Sequence, residues 1–188
     1  IKVAQFSGYV SENSGYHHGE ASLNMAIVGM AQNYTGSNNI NLLEPNGQFG
    51  TRMQGGKDSA SERYIFTQLN KITRYLYSGK DDAILKYNND DGDMVEPVYY
   101  LPIIPMVLVN GVKGIGTGFS TEILPYDPLL LIDYISEKLN NKDTSTYKFT
   151  PYWNGFNGDV YEDVENKRYL VKGKYSKISK DTIHVTEL

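Results

Sequence analysis

The 188-residue sequence contains no cysteine, which excludes disulfide scaffolds and thiolate metal sites. It also lacks any apolar run approaching the ~20 residues of a bilayer-spanning helix, so we expect no membrane segment. It starts without Met and without the basic and apolar regions of a signal peptide, and we expect a processed chain or a piece of a longer protein. Apolar residues make up 40% of it, enough to bury the core of one large or two small domains.

A cationic excess is missing as well, because the formal net charge is −4. Nucleic-acid-binding proteins usually present a basic face, so this balance argues against a stand-alone nucleic-acid binder. The charge is uneven along the chain: residues 1–77 contain 6 Lys and Arg against 5 Asp and Glu, and residues 78–188 contain 12 against 17. We therefore expect contacts with anions in the first half or on local patches.

Apolar spacing predicts two helices in the first half. Residues 20–34 combine helical periodicity with little polar face, which predicts a mostly buried helix. Ser59 and Glu62 fit a capping box at the start of a predicted helix over residues 60–77. The apolar seam of that helix consists of Ile65, Leu69, Ile72 and Leu76. Between the two helices, residues 40–47 predict a short hairpin around a Pro-Asn-Gly turn.

The middle of the chain predicts a connection, a buried segment and a third helix. Residues 78–93 are charged and rich in Asn and Asp, which predicts a mobile connection. Residues 99–109 are apolar with two prolines, which predicts an extended, buried segment. Asp127 followed by Pro128 predicts the start of a helix that ends near Leu139.

The C-terminal residues alternate as strands do. Tyr169 and Val171 share one predicted strand, and Ile183 and Val185 share another after a turn, so the two are expected to be antiparallel. The predicted fold class is α+β, with a subdomain boundary near residues 95–102.

Tyr64 is the first candidate for chemistry. On the predicted helix it lies one position off the apolar seam, beside Arg63 and near Lys57. A helix N-terminus with cations nearby binds anions, and a tyrosine hydroxyl there can attack a phosphodiester. The alternative is an ordinary surface tyrosine in a chain with 16 of them, and spacing alone favours that alternative.

For two further groups of residues, the sequence leaves both a functional and a structural role open. His17 and His18 with Glu20 precede a predicted helix; adjacent side chains point apart, which disfavours metal binding, and a phosphate site competes with a simple capping turn. The glycine-rich residues 111–118 match neither a P-loop nor a dinucleotide fingerprint. There Ile115 is either tucked into a core or exposed as a wedge of the kind that kinks DNA.

Taken together, the motifs resemble the DNA breakage–reunion core of eukaryotic-type (type IIA) DNA topoisomerase II. The resemblance is dense over residues 2–120 and loose beyond them. The matching motifs include Tyr16-His17-His18-Gly19-Glu20, Gly36-Ser37-Asn38-Asn39, Gln48-Phe49-Gly50-Thr51-Arg52, Gly55-Gly56-Lys57-Asp58, Arg63-Tyr64-Ile65, Leu101-Pro102-Ile103-Ile104-Pro105 and Gly114-Ile115-Gly116-Thr117-Gly118.

The resemblance implies a fold and a set of site residues. Residues 1–100 match part of a winged-helix cleavage domain, and residues 101–188 match the start of a mixed α/β tower domain. Tyr64 matches the nucleophile that forms a transient 5′-phosphotyrosyl bond, Arg63 the arginine that stabilises its transition state, and Ile115 the isoleucine that intercalates and bends DNA. The implied DNA-binding residues are Tyr16, His17, His18, Ser22, Gln48, Thr51, Arg52 and Lys57.

The resemblance also implies partners that these residues do not supply. The family uses Mg²⁺ and ATP, which belong to a toprim domain and an ATPase domain absent from this chain, and no metal ligand is expected within it. Two tyrosines that cut both strands of double-stranded DNA imply a homodimer. We expect the 188 residues alone to cleave DNA poorly, and we keep open the alternative of a non-catalytic DNA-binding or assembly module. Family membership implies the nucleus, and a cytoplasmic DNA virus as source implies the cytoplasm.

Overall fold

The computed structural model describes all of residues 1–188 and divides them into two compact units, Ile1–Met106 and Val107–Leu188. The helices are α1 (Val3–Ser14), α2 (Glu20–Ala31), α3 (Thr73–Leu76), α4 (Met106–Val109) and α5 (Pro128–Leu139), with 3₁₀ turns at Arg52–Gln54 and Asp81–Ile84. The strands are β1 (Tyr87–Asp90), β2 (Asp93–Pro97), β3 (Val112–Gly116), β4 (Phe119–Ile123), β5 (Asp159–Asp163), β6 (Arg168–Lys172), β7 (Lys174–Lys177) and β8 (Ile183–Glu187). Each strand pairs antiparallel with its neighbour in sequence, giving four separate two-stranded sheets.

The core of the first unit lies between α1, α2 and an irregular ladder of extended segments. Its buried members are Val3, Leu23, Ile27, Ala31, Leu43, Phe49 and Ile65. In the ladder, Phe66 bridges both Lys2 and Asn46, and Leu69 bridges Leu43. The segment that follows Tyr64 is therefore the middle member of three extended segments.

The predicted helix over residues 60–77 is wrong. Residues 61–64 form a turn, residues 65–69 are extended, and only Thr73–Leu76 is helical. Of the four residues of the predicted seam, Ile65 and Leu76 are buried, whereas Leu69 and Ile72 are exposed. The predicted hairpin within residues 40–47 is also wrong, because Leu43 and Asn46 pair with the 66–69 segment instead of with each other's strand.

Other predictions for the first unit are correct only in part. The helix predicted at residue 20 ends at Ala31, and its outer face, including Met25, is exposed rather than mostly buried. The sequence patterns do not predict helix α1. Residues 78–93 are not a plain connection, because they contain a 3₁₀ turn and strand β1. The 99–109 segment buries Ile104, exposes Ile103 and ends in α4 rather than staying extended.

In the second unit, the predicted start and end of helix α5 are confirmed. The Asp127 carboxylate accepts the Leu129 backbone N–H at 2.9 Å, and Pro128 is the first residue of α5, which ends at Leu139 as predicted. An aromatic cluster packs beside this helix, with Tyr134 contacting Phe149 at 5.3 Å and Tyr147 at 5.4 Å between ring centroids. The predicted C-terminal strands exist, but they pair with strands β5 and β7 rather than with each other.

None of the helices combines the length and the hydropathy that a membrane-spanning segment requires.

Candidate nucleic-acid interface

Tyr64 lies in the turn that leads into the central extended segment of the first unit. Its backbone N–H donates to the Ser61 carbonyl at 2.9 Å, and its side chain is 73% exposed. Arg63 is exposed beside it. The next residue, Ile65, is only 1% exposed and anchors the turn in the core. Tyr64 therefore sits on no helix N-terminus, and the predicted anion site of that kind is wrong, although the tyrosine and arginine are presented to solvent together.

A compact loop of residues 49–58, here called the clamp loop, carries Arg52 and Lys57, which are both exposed. Asp58 closes it: one carboxylate oxygen accepts the Thr51 backbone N–H and the other accepts the Thr51 hydroxyl, each at 2.8 Å. The Thr51 backbone N–H is the main reason why the pKa of Asp58 lies below its ordinary value. The loop base is tied by the Ala60 N–H, which donates to the Gln48 carbonyl at 2.8 Å.

Helix α2 and the clamp loop form the walls of a groove with a volume of about 670 Å³. The helix side includes Glu20, Asn24 and Met25, and the opposite side includes Lys57 of the clamp loop and Glu62 of the turn before Tyr64. Glu62 directly precedes Arg63 and Tyr64 in sequence, so this pair follows a residue of the groove wall. The structure thus brings the start of α2 and the tyrosine turn to one surface of the first unit.

The residues before α2 are also held in place. Tyr16 packs against the core and meets His18 edge to face, with ring centroids 5.4 Å apart. His17 Nε2 lies 3.3 Å from a carboxylate oxygen of Asp90, which comes from strand β1. Both histidines are exposed and directly precede the helix, as expected. Ser22 lies in the first turn of α2, exposed, with its N–H donating to the Gly19 carbonyl at 3.0 Å.

Ile115 lies on the β3–β4 hairpin of the second unit and is 92% exposed. The predicted glycine loop is therefore mostly strand, with its turn at residues 117–118. The alternative in which Ile115 is buried in a core is wrong. The Lys113 ammonium pairs with the Glu122 carboxylate at 3.2 Å on the same hairpin, two residues before Ile115.

The chain shows no set of three or more His, Cys, Asp or Glu side chains arranged to hold a metal ion. Glu20 and Glu62 both line the groove, but no third such side chain joins them. No set of side chains in this chain therefore fits a Mg²⁺ site by itself.

A family model that describes the A-type subunit of DNA gyrase/topoisomerase IV matches residues 1–188. The chain belongs to this family. DNA topoisomerase 2 of Pisum sativum is 51% identical over all of this chain, which corresponds to 13% of that protein. The topoisomerase 2 of Saccharomyces cerevisiae is 49% identical over all of this chain and 13% of its own length, and that of Acanthamoeba polyphaga mimivirus is 48% identical over all of this chain and 15% of its own length.

A solved structure extends this similarity to the fold. The Plasmodium falciparum topoisomerase II DNA-binding, cleavage and re-ligation domain superimposes with a TM-score of 0.94 at 47% identity, covering 100% of this chain and 25% of that one. The α+β fold class and the resemblance to topoisomerase II are confirmed. The chain spans between an eighth and a sixth of the length of the curated relatives named above.

Gln32 and Asp90 help to build this surface, but their spacing in the sequence gives no sign of their contacts. Gln32 contacts Phe49, 17 residues away, and Asp90 contacts His17, 73 residues away. Only Asp58, inside a glycine-flanked basic motif, carries a local signal that it closes a turn.

Proposed function

We propose that the chain is part of the DNA-binding and cleavage core of an ATP-dependent type II DNA topoisomerase. Such an enzyme breaks both strands of a duplex, passes a second duplex through the break and reseals it. The observation that carries the proposal is the exposed Arg63–Tyr64 pair, which directly follows the groove residue Glu62, in a chain that superimposes on a DNA cleavage and re-ligation domain.

In the proposed reaction, Tyr64 Oη attacks a backbone phosphorus. The new Tyr–O–P bond forms as the bond to the 3′-oxygen breaks, the phenolic proton leaves the tyrosine, and the 3′-oxygen departs as a hydroxyl. Arg63 offsets the extra negative charge of the phosphorane, since a fixed cation stabilises charge that develops in the transition state. Because the phosphoester bond is conserved in the protein–DNA link, the reverse attack reseals the strand without a further energy source.

The surrounding residues are proposed to hold the DNA backbone. Phosphate contacts come from side chains, backbone N–H groups and helix N-termini, and all three occur around the groove. The proposed contacts are made by Tyr16, His17, His18, Ser22, Gln48, Thr51, Arg52 and Lys57. Ile115 is proposed to insert between base pairs and bend the duplex, as exposed apolar wedges do.

The remaining parts of the proposal concern the whole enzyme. Residues 1–100 are proposed as part of a winged-helix domain and residues 101–188 as the start of a tower domain. Mg²⁺ and ATP are proposed to bind a toprim domain and an ATPase domain outside this chain, and the enzyme to act as a homodimer with one Tyr64 for each strand. The proposed location is the nucleus, or the cytoplasm if the source is a cytoplasmic virus; the relatives include a mimivirus enzyme and one named as mitochondrial.

The test uses the full-length enzyme as wild type, Tyr64→Phe and Tyr75→Phe. Tyr75 is the matched control because its side chain is 75% exposed in the same unit. After incubation with supercoiled DNA, Mg²⁺ and ATP and a detergent quench, wild type and Tyr75→Phe should relax DNA and carry covalent DNA ends, and Tyr64→Phe should do neither. Covalent ends on Tyr64→Phe would overturn the assignment, and a wild type that binds DNA without linking to it would support the non-catalytic module instead.

A further inference from the structure

The clamp loop is closed by a carboxylate on a surface proposed to meet polyanionic DNA. Asp58 uses both oxygens on Thr51, accepting the backbone N–H and the hydroxyl at 2.8 Å each. Hydrogen bonds to a charged acceptor are roughly twice as strong as neutral ones. An anion placed here repels phosphate, so a favourable role must come from the loop geometry that it enforces.

The loop is tightened further from its two ends. Gln32, just after α2, donates through Nε2 to the Phe49 carbonyl at 2.9 Å and to the Gly56 carbonyl at 3.3 Å. The Gly56 N–H donates to the Thr51 carbonyl at 2.9 Å. A Cβ atom at Gly50 would lie 2.5 Å from the Gly56 Cα, so the two sides of the loop are in backbone contact.

The clamp fixes the backbone next to both exposed cations. Arg52 directly follows Thr51, and Lys57 directly precedes Asp58. We propose that Asp58 is a positioning residue for DNA: by holding Thr51 through two hydrogen bonds, it sets where Arg52 and Lys57 meet the phosphates. The inference rests on the proposed function, since it assumes that this surface binds DNA.

A chemically matched motif elsewhere in the chain provides the control. Asp143 accepts the backbone N–H and the hydroxyl of Ser145, each at 2.9 Å, in the exposed segment after α5. The Asp143→Asn variant therefore removes the same charge and alters the same pair of acceptors in the second unit. Any general effect of losing one such turn appears in both variants.

The experiment compares full-length Asp58→Asn, Thr51→Val, Thr51→Ser and Asp143→Asn enzymes with wild type. Duplex DNA binding is measured from about 50 to 200 mM salt, where each lost phosphate contact lowers the slope of log K against log salt by about 0.9. We expect Asp58→Asn and Thr51→Val each to lower that slope by about 1 to 2, and to raise the DNA concentration for half-maximal cleavage about tenfold. Thr51→Ser should regain most of what Thr51→Val loses, and Asp143→Asn should match wild type.

Two results would overturn the inference. One is a wild-type salt slope in both Asp58→Asn and Thr51→Val. The other is a lower slope that appears only together with a lower unfolding temperature and is not regained in Thr51→Ser, which indicates a merely structural role. If wild type binds DNA but forms no covalent ends, the proposed cleavage fails while the salt slopes still decide the role of Asp58.

Discussion

Val3 donates its backbone N–H to the carbonyl of Ile65 at 3.1 Å, one residue beyond Tyr64. The Ile65 side chain is held from the other side as well, because a Cβ atom at Gly47 would lie 2.9 Å from its Cγ2. The proposed nucleophile is thus the last exposed residue before a fully buried anchor. The position of Tyr64 depends on packing between the start of the chain and the 46–47 turn.

Ile65→Ala should therefore weaken both the fold and the proposed chemistry. Deleting a buried isoleucine side chain to Ala typically costs about 2–5 kcal/mol of unfolding free energy, and Ile65→Val about 0.5–1.5 kcal/mol. The measurement is chemical denaturation, followed by assay of covalent DNA ends under conditions where the variant stays folded. A loss of less than about 1 kcal/mol for Ile65→Ala would contradict the burial of this side chain.

Gly56→Ala and Gly55→Ala separate steric crowding from backbone strain in the clamp loop. Both glycines have positive φ, +79° and +57°, so alanine at either costs about 1 kcal/mol of conformational strain. At Gly55 nothing lies within 4 Å of the added Cβ, whereas at Gly56 it would lie 2.4 Å from Gln32 Nε2. We expect Gly56→Ala to destabilise the fold by at least about 1 kcal/mol more than Gly55→Ala. Equal unfolding free energies would show that Gln32 moves aside at no cost.

Ile115→Ala should reduce DNA bending with little change in stability. The side chain is 92% exposed, so its truncation should alter the free energy of unfolding by no more than about 0.5 kcal/mol. Bending is measured by energy transfer between dyes at the two ends of a short duplex bound to the full-length enzyme. Ile178→Ala is the control, because Ile178 is 66% exposed in the same unit. An unchanged bend in Ile115→Ala would remove this residue from the proposed interface.

The sequence predicts elements well where the signal is local. Helix α5 has its Asp-Pro start encoded in adjacent residues, and the start of α2 follows from helical periodicity over one segment. The prediction for residues 60–77 is wrong because the same four-three-four spacing fits a helix seam and an extended segment followed by one helical turn. Pairing of Phe66 with both Lys2 and Asn46 decides between them, and these partners lie 64 and 20 residues away.

In the candidate site, too, the sequence predicts the local relationships but not the contacts between distant segments. Tyr64 and Arg63 are adjacent in sequence, so motif resemblance alone places them together. The contacts of Gln32 with Phe49 and Gly56, and of Asp90 with His17, join segments that are distant in sequence. No periodicity encodes such contacts, and only the three-dimensional structure reveals them.

The ionisation of Tyr34 provides a final test of the clamp loop. Burial is the main cause that raises the pKa of Tyr34 above its ordinary value, and the negative charge of Asp58 raises it further. Both causes disfavour the charged phenolate, so removing the Asp58 charge should favour it. In Asp58→Asn, the pKa of Tyr34 should therefore fall but stay above the ordinary tyrosine value, because burial remains.

The measurement follows the ring carbon that bears the hydroxyl in ¹³C-labelled tyrosine by NMR, with the Tyr34 signal assigned from its loss in Tyr34→Phe. Asp143→Asn again serves as the control and should leave the pKa of Tyr34 unchanged, since burial and the Asp58 charge are what raise that pKa. A pKa for Tyr34 that is the same in Asp58→Asn and wild type would mean that the Asp58 carboxylate does not face this phenol.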